Sequence, residues 1–574
     1  MLHVISITGP LSEVSAIVRQ SKSAILLMSG CGLLMAVKLA YIWRINFNWD
    51  EFFYLSLIHE FARGEAWSLL QTAYVHLFRW LPQVGANEID QLITSRIFMW
   101  GCLAATVILI ARLAQRWASP VTVWIAPLVF LAASPVLRHG GSFRADSLLA
   151  PLSLGVLLLL TAPVMNRSRI ATAGAFLGIS AAISLKAVLL LPLFLLMLLS
   201  DPVIARAQWT EKVRLLVARV SLFGMTSLIT LSLLIFLHRM SLPTAESAAL
   251  QDVAVNAARK TILEVPFFPR WDYFIASLGR DWLTWLLISA GVITASLRQT
   301  RAAWLVLSLL PLLFYRNAFP YYYLVILAPA AVLAAIAVEG LMEISKKGSS
   351  GLVWLPIAVS VPIAFQAVRN LDEFRFDEQG LQRATIAAVH EIFPAPVNYI
   401  DHSGMISSFP KINLFMSSWG LENYRDIGRG FMQGAIAQYR PPLLLANAPV
   451  LQAGSAGFDS LLAEDRRLIE DFYVPYWGPI RVAGATVDLD SATSAAVLFP
   501  FPGRYRLVTD TELQIDGISY VDGAIVEIPE NAAELTLEVS RAGRVVPTAQ
   551  FVWAEALAPP GGFMPASAVL YSGL

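Results

Sequence analysis

Long apolar blocks separated by short polar stretches fill roughly the first 370 positions of the chain, and beyond them the pattern changes to short alternating runs. The blocks predict helices near 24–43, 96–112, 121–137, 147–164, 171–186, 188–200, 215–237, 282–297, 302–315, 320–342 and 352–368. Several approach the roughly 20 residues that a helix needs to cross a hydrocarbon core of about 30 Å. The fifth and sixth are short and read as one broken pair. The first is long for a signal-peptide core and lacks a convincing cleavage site, which predicts a retained anchor.

Alternate connections carry the basic residues: Arg112 and Arg116; Arg167 and Arg169; Arg206, Lys212 and Arg214; Arg298 and Arg301; Lys346 and Lys347. Arg19 and Lys22 precede the first block. Short loops rich in Lys and Arg stay cytoplasmic. Loop 44–95, segment 138–146, connection 238–281 and everything after Arg369 are therefore expected to face outward. Residues 51–80 and 250–275 mix Trp, Phe and Leu with charges, as helices lying along a membrane surface do.

In the tail a helix over 377–392, strands Val397 to Asp401 and Leu443 to Asn447, and a helix over 457–471 predict a small α/β unit. After Tyr473 the texture becomes "PGRYRLVTD", "LQIDGISYVDGAIVEIP" and "AELTLEVS", where Asp-Gly pairs between alternating runs signal hairpins. The predicted architecture is a mainly α, polytopic membrane protein with a C-terminal extracytoplasmic α/β plus β-sandwich-like region. Its divisions are a transmembrane domain over 1–369, an α/β domain over 370–485 and a β-rich module over 486–574. The Asp-x-Asp of Asp488 and Asp490 falls within the β texture and reads as structural.

Composition agrees with the pattern. Of 574 residues 56% are hydrophobic and only 14% charged, where a soluble domain is closer to a quarter charged. A net charge of +1 argues against a nucleic-acid partner, which calls for a concentrated basic surface. The two cysteines, Cys31 and Cys102, lie inside apolar runs and imply neither a disulfide nor a metal framework.

Ionisable residues within or bordering spans are rare and mark functional or paired sites. Four groups stand out on the outward side: Asp50 and Glu51 after the first block, Arg144 and Asp146 in "HGGSFRADSLL", Lys186 in an otherwise apolar stretch, and Arg316 followed by Tyr321, Tyr322 and Tyr323. Each has a plain structural reading. Asp50-Glu51 can cap a helix, Arg144 and Asp146 can pair, Lys186 can snorkel, and the tyrosines can form an aromatic belt. Together they have a chemical one: a carboxylate serves as general base on a hydroxyl, and Lys and Arg suit a phosphate.

The motifs "NWDEFFYL", Arg144-x-Asp146-x-Leu-Leu, "GAFLGISAAISLK" ending at Lys186, "YYYLVILAPAAVLAA" preceded by Arg316, and "LIEDFYVPYWGPIRVAG" in the tail occur in this order over residues 24–485. In them the chain resembles GT-C membrane glycosyltransferases that use polyprenyl-phosphate sugars, in the branch of protein O-mannosyltransferases and lipid A aminoarabinose transferases. The resemblance implies about 11 transmembrane helices in the bacterial inner membrane, with the C-terminal domain in the periplasm. It implies a polyprenyl-phosphate sugar as donor, a lipid, glycan or protein hydroxyl as acceptor, and inverting transfer. Asp50 would be the catalytic base, Glu51 a contact for acceptor or metal, and Asp146 a second acid. Arg144, Lys186 and Arg316, with Tyr321 and Tyr322, would hold the donor phosphate.

One departure is plain. Aminoarabinose transferases carry Glu-Lys-Pro-Pro some thirty residues after the first acid, where this chain reads "LLQTAYVHLFRW". Gln71 to His76 thus lack the phosphate lysine and the metal-binding Glu, which leaves the donor sugar and a divalent metal open. His59, His76, His139 and His238 are the substitute metal ligands to test. The Trp-Trp-Asp triplet of oligosaccharyltransferases does not occur in the sequence. A polytopic lipid or polysaccharide transporter and a non-catalytic envelope assembly protein remain the alternatives.

Overall fold

In the computed structural model the described residues are 11–66, 69–243, 260, 264–346, 354–374, 378–489, 494–530, 536–541, 548–568 and 570–571. Trp67, Lys347, Asp490 and most of 238–263 fall outside them.

The chain is mainly helical up to Asp372. Among the described residues four helices are long and apolar enough to cross a membrane: Lys22–Tyr41, Glu88–Ala114, Trp209–Met240 and Pro320–Ile344. Five shorter apolar helices accompany them. Their burial sorts centre from rim. The most apolar window of Pro320–Ile344 is 94% buried, that of Trp209–Met240 only 6%, so the first is the axis of the bundle and the second presents Leu228, Leu233 and Phe236 to its surroundings. The rim helix packs on Arg167–Ile183 through Gly174 and Gly178. A side chain on Gly174 would run into Thr226 and the Phe223 carbonyl, and one on Gly178 into Ser227 and Thr230. Small residues spaced four apart let two backbones close where no hydrophobic force drives helices together.

The expected helix over 121–137 is broken at Ala133. Pro135 has no N–H with which to extend the first helix and sits in the first turn of the next, where none is needed, and the Asp281 carboxylate takes the Ser134 backbone N–H (3.0 Å) and hydroxyl (2.7 Å) that the break exposes. The expected helix over 302–315 is a tight 3₁₀ segment, Arg301–Leu313.

The tail opens with the Gly380–Ile392 helix and continues into a sheet that has seven strands among the described residues. Tyr399–Ile400 and Leu443–Leu445 pair in parallel, and the order continues through Ile480–Asp488, Thr548–Trp553, Gly503–Val508 and Ile525–Ile528, with Tyr473–Trp477 also on Ile480–Asp488. The boundary expected at 485 falls inside Ile480–Asp488. That strand's first half pairs with the α/β unit and its second with Thr548–Trp553 of the terminal module, so the two share one sheet. Ser494–Leu498, Thr536–Arg541, Leu513–Ile515 and Ile518–Tyr520 form a second sheet. Val497, Leu513 and Val539 of this sheet meet Tyr505, Leu507 and Phe551 of the first in one apolar core, a sandwich.

The tail is locked onto one end of the bundle. Gln382 exchanges hydrogen bonds with the Phe47 backbone (2.9 and 2.8 Å), and Gln379 donates to the carbonyls of Ile42 and Ile45, each at 2.9 Å. Glu88 accepts from Ser408 and meets His390 at 2.9 Å. Gly404, with φ of +85°, leaves no room for a side chain against Ser56. The basic residues Arg219, Arg298 and Arg301 lie at the other end, contacting Asp201, Glu343 and the Leu160 carbonyl.

Candidate active site

The site begins with a helix start. Asn48 caps the Trp49–Arg63 helix, its side chain accepting the Asp50 backbone N–H, while Glu51 reaches back to the Asn48 N–H. This reciprocal arrangement satisfies two otherwise open donors. The helix stops at Gly64 in the left-handed region. In this short stretch Asp50 and Glu51 point to different neighbours.

Glu51 is fully buried and saturated. Its oxygens accept from Arg96 Nε (2.8 Å) and Nη2 (2.6 Å), from the Phe143 N–H (2.9 Å) and from the Asn48 N–H (3.0 Å). Arg96 also donates to the carbonyls of Ile45 (2.7 Å) and Asn46 (2.8 Å) and lies over the Phe47 ring. Residues 42–47 are thus gripped from the bundle by Arg96 and from the tail by Gln379 and Gln382.

Asp50 belongs to a different cluster. Its Oδ2 accepts from Arg144 Nη1, while Oδ1 takes no hydrogen bond from the described residues. Arg144 Nε stands 3.6 Å from Asp146, and Lys186 Nζ donates to both Asp146 oxygens, at 2.9 and 3.1 Å. The result is a chain of alternating charge, Asp50–Arg144–Asp146–Lys186, with side-chain exposures between 2% and 12%. Tyr321 is its floor: the Arg144 guanidinium lies 3.5 Å from the ring centroid and Lys186 Nζ 4.7 Å. The Tyr322 hydroxyl donates to the Lys186 carbonyl at 3.4 Å. The Arg144 position begins the Ala145–Leu160 helix and Lys186 sits just after Arg167–Ile183. Three separate helix ends and the start of the central helix therefore meet here.

The structure brings together Asp50, Arg144, Asp146, Lys186, Tyr321 and Tyr322. Arg316 is turned away to Glu422 of the tail (2.7 Å), at the junction of the two regions. Of the four histidines, His76 and His238 come together while His59 and His139 lie among other partners. His59 meets Gln91 at 2.8 Å, and burial lowers its pKa. His139 lies edge-on to Tyr321, with ring centroids 6.2 Å apart. His76 and His238 contact each other at 2.9 Å, and His238 also meets Thr72 at 2.8 Å. Among the described residues no three of His, Cys, Asp and Glu converge as metal ligands. Arg96 was visible as an arginine inside an apolar block, the same signal that marked Lys186; nothing nearby in sequence pointed to Glu51 as its partner.

No protein-family model and no curated protein matches the chain. Among solved structures it is similar to ArnT from Cupriavidus metallidurans in the apo state, at 13% identity and a TM-score of 0.49, covering 73% of this chain and 92% of that one. It is similar to the same protein bound to undecaprenyl phosphate, at 14% identity and a TM-score of 0.48 over 68% of this chain and 85% of that one. It is also similar to an oligosaccharyltransferase of Archaeoglobus fulgidus in complex with zinc and sulfate, at 10% identity and a TM-score of 0.47 over 78% and 72%. At these identities and scores, function has to be read from the side chains themselves.

Proposed function

We propose that the protein is an inverting membrane glycosyltransferase that moves a sugar from a polyprenyl monophosphate to an acceptor hydroxyl on the periplasmic face of a bacterial inner membrane. The observation that carries this reading is the buried Asp50–Arg144–Asp146–Lys186 chain over Tyr321.

In this mechanism Asp50 Oδ1 takes the proton of the acceptor hydroxyl, whose oxygen forms the new bond to the anomeric carbon. The bond from that carbon to the phosphate oxygen breaks on the opposite face, and polyprenyl phosphate leaves with the electron pair. Lys186 and Arg144 stabilise the departing phosphate; cations in a water-poor site do this with little reorganisation. Asp146 aims both cations. Glu51, whose oxygens are already filled by protein donors, acts as a positioning residue that holds the loop and hence Asp50, and the direct contact first expected of it gives way to this role. Arg316, paired with Glu422, braces the tail.

The test is transfer from labelled polyprenyl-phosphate sugars to envelope acceptors in membranes carrying Asp50→Asn. Loss of transfer by a normally inserted variant is expected; unchanged transfer refutes the role of Asp50.

A further inference from the structure

A cavity of about 790 Å³ lies between the Trp49–Arg63 helix, the loop after it and the tail segment 411–415. Asp50 does not line it, but the helix that carries Asp50 in its first turn does. Phe53 and Leu57, three and seven residues after Asp50, line it from the same side of the helix. Phe53 stacks on Phe415 of the tail with centroids 4.0 Å apart. Farther along the same helix is Glu60, and across from it Lys411.

These two charges are the unusual feature. Lys411 donates to the carbonyls of Asn413 (2.6 Å) and Leu414 (2.8 Å). Neither Glu60 nor Lys411 forms an ion pair among the described residues, although Arg63 beside them pairs with Glu65. Burial raises the Glu60 carboxyl and brings the Lys411 ammonium down to about 8. Opposite charges kept apart across a cavity, between apolar walls, suit a ligand with donors and acceptors in one molecule and apolar faces besides. A sugar has that character: hydroxyls can give to a carboxylate and accept from an ammonium, and ring C–H faces can lie on Phe53 and Leu57. Glu60 is ten residues from Asp50, on the order of 15 Å along a helix at 1.5 Å per residue, so a ligand reaching both is longer than one ring.

We propose that this cavity is the acceptor subsite and that the acceptor is a neutral oligosaccharide whose hydroxyls bridge Glu60 and Lys411, several rings from the hydroxyl presented to Asp50. The inference rests on the glycosyltransferase reading and chooses among its acceptor classes.

The experiment is capture of the full-length, detergent-solubilised protein on arrays of neutral and acidic mono- to tetrasaccharides and of serine- and threonine-containing peptides. Neutral oligosaccharides are expected to bind and monosaccharides to bind poorly. Glu60→Gln and Lys411→Met should each weaken capture at least about tenfold, as expected for one hydrogen bond to a charged group. As a readout independent of the variants' folding, the bound neutral glycan should slow hydrogen exchange in residues 53–60 and 411–415 of the wild type. Capture of peptides alone or acidic glycans alone, no capture, or capture unchanged in the variants overturns the proposal. Asp50→Asn separates it from the reading beneath it. If that variant loses transfer while no glycan is captured, the subsite falls and the transferase stands; if glycan capture holds while Asp50→Asn transfers normally, the subsite stands and the role of Asp50 falls.

Discussion

Asp50 and Glu51 share a peptide bond, yet Glu51 is met by four protein donors whereas Asp50 is met by one guanidinium and keeps an oxygen open. Around Glu51 every charge is answered within the protein, and the effect is to clamp the loop before the helix. Around Asp50 the charges alternate along a line that ends at Lys186. A saturated buried carboxylate supplies rigidity; a carboxylate with a spare lone pair can take a proton. The difference comes from the helix start, where Glu51 must turn back to the cap while Asp50, one residue earlier, is free to face outward from the first turn.

The contrast can be broken from either side. The largest effect is expected for Asp50→Asn, where losing a general base should slow transfer by about a hundred- to ten-thousand-fold, while Arg144 keeps Asp146 as a counter-charge, so the melting temperature should fall less than for loss of the Glu51 charge. Glu51→Gln should do the opposite. It leaves Arg96 buried without its charge partner, a change that typically costs about 3–5 kcal/mol out of a stability of roughly 5–15. Its signature is a fall in the yield and melting temperature of purified protein, with activity per folded molecule largely kept. If Glu51→Gln instead folds like wild type and is inactive, the division of labour between the two acids is wrong.

Tyr321→Leu sharpens the comparison further, since it removes the ring under Arg144 and Lys186 and leaves the Glu51 cluster alone. A desolvated cation–π contact is worth about 2 kcal/mol, which predicts a loss of activity of about thirtyfold with intact stability, read most clearly in KM for the lipid donor. The smallest effect concerns the docking of the tail. The hydrogen bond to Glu88 holds the His390 imidazole above its usual pKa. Because the folded value is raised, this contact contributes fully below the unfolded value of about 6.5 and fades as pH rises through the folded one. The protection factor around Ser408, which is exchange corrected for its intrinsic base catalysis, should therefore fall modestly between neutral and alkaline pH, and His390→Gln should remove that fall.

Much of this was legible in one dimension. Apolar blocks marked the helices because a bilayer or a bundle interior demands about 20 residues without charge. The exceptions marked the site because a charge in such a place has to be answered: Asp50, Arg144, Asp146 and Lys186 were each conspicuous alone. The α/β order of the tail was equally readable, from a helix, two strands and a helix in the expected places. What pairing each exception would adopt was not readable. Lys186 answers Asp146 at a separation of forty residues and Arg144 answers Asp50 at ninety-four, and no local spacing rule reaches that far. Arg316 shows the same limit in reverse, since it carries the same chemistry as Arg144 and is consumed by Glu422, more than a hundred residues away.

By itself the sequence determined which segments are apolar enough to form the bundle, where the first-loop helix starts and stops, and which few charged residues had to be accounted for, because propensity, capping and the cost of burying charge act locally. Tertiary structure alone decided that Glu51 would be filled and Asp50 left open, that the tail would reach back with Gln379 and Gln382 to hold the loop, and that Glu60 and Lys411 would face one cavity. Those outcomes depend on distances between residues far apart in the chain, and only packing sets such distances.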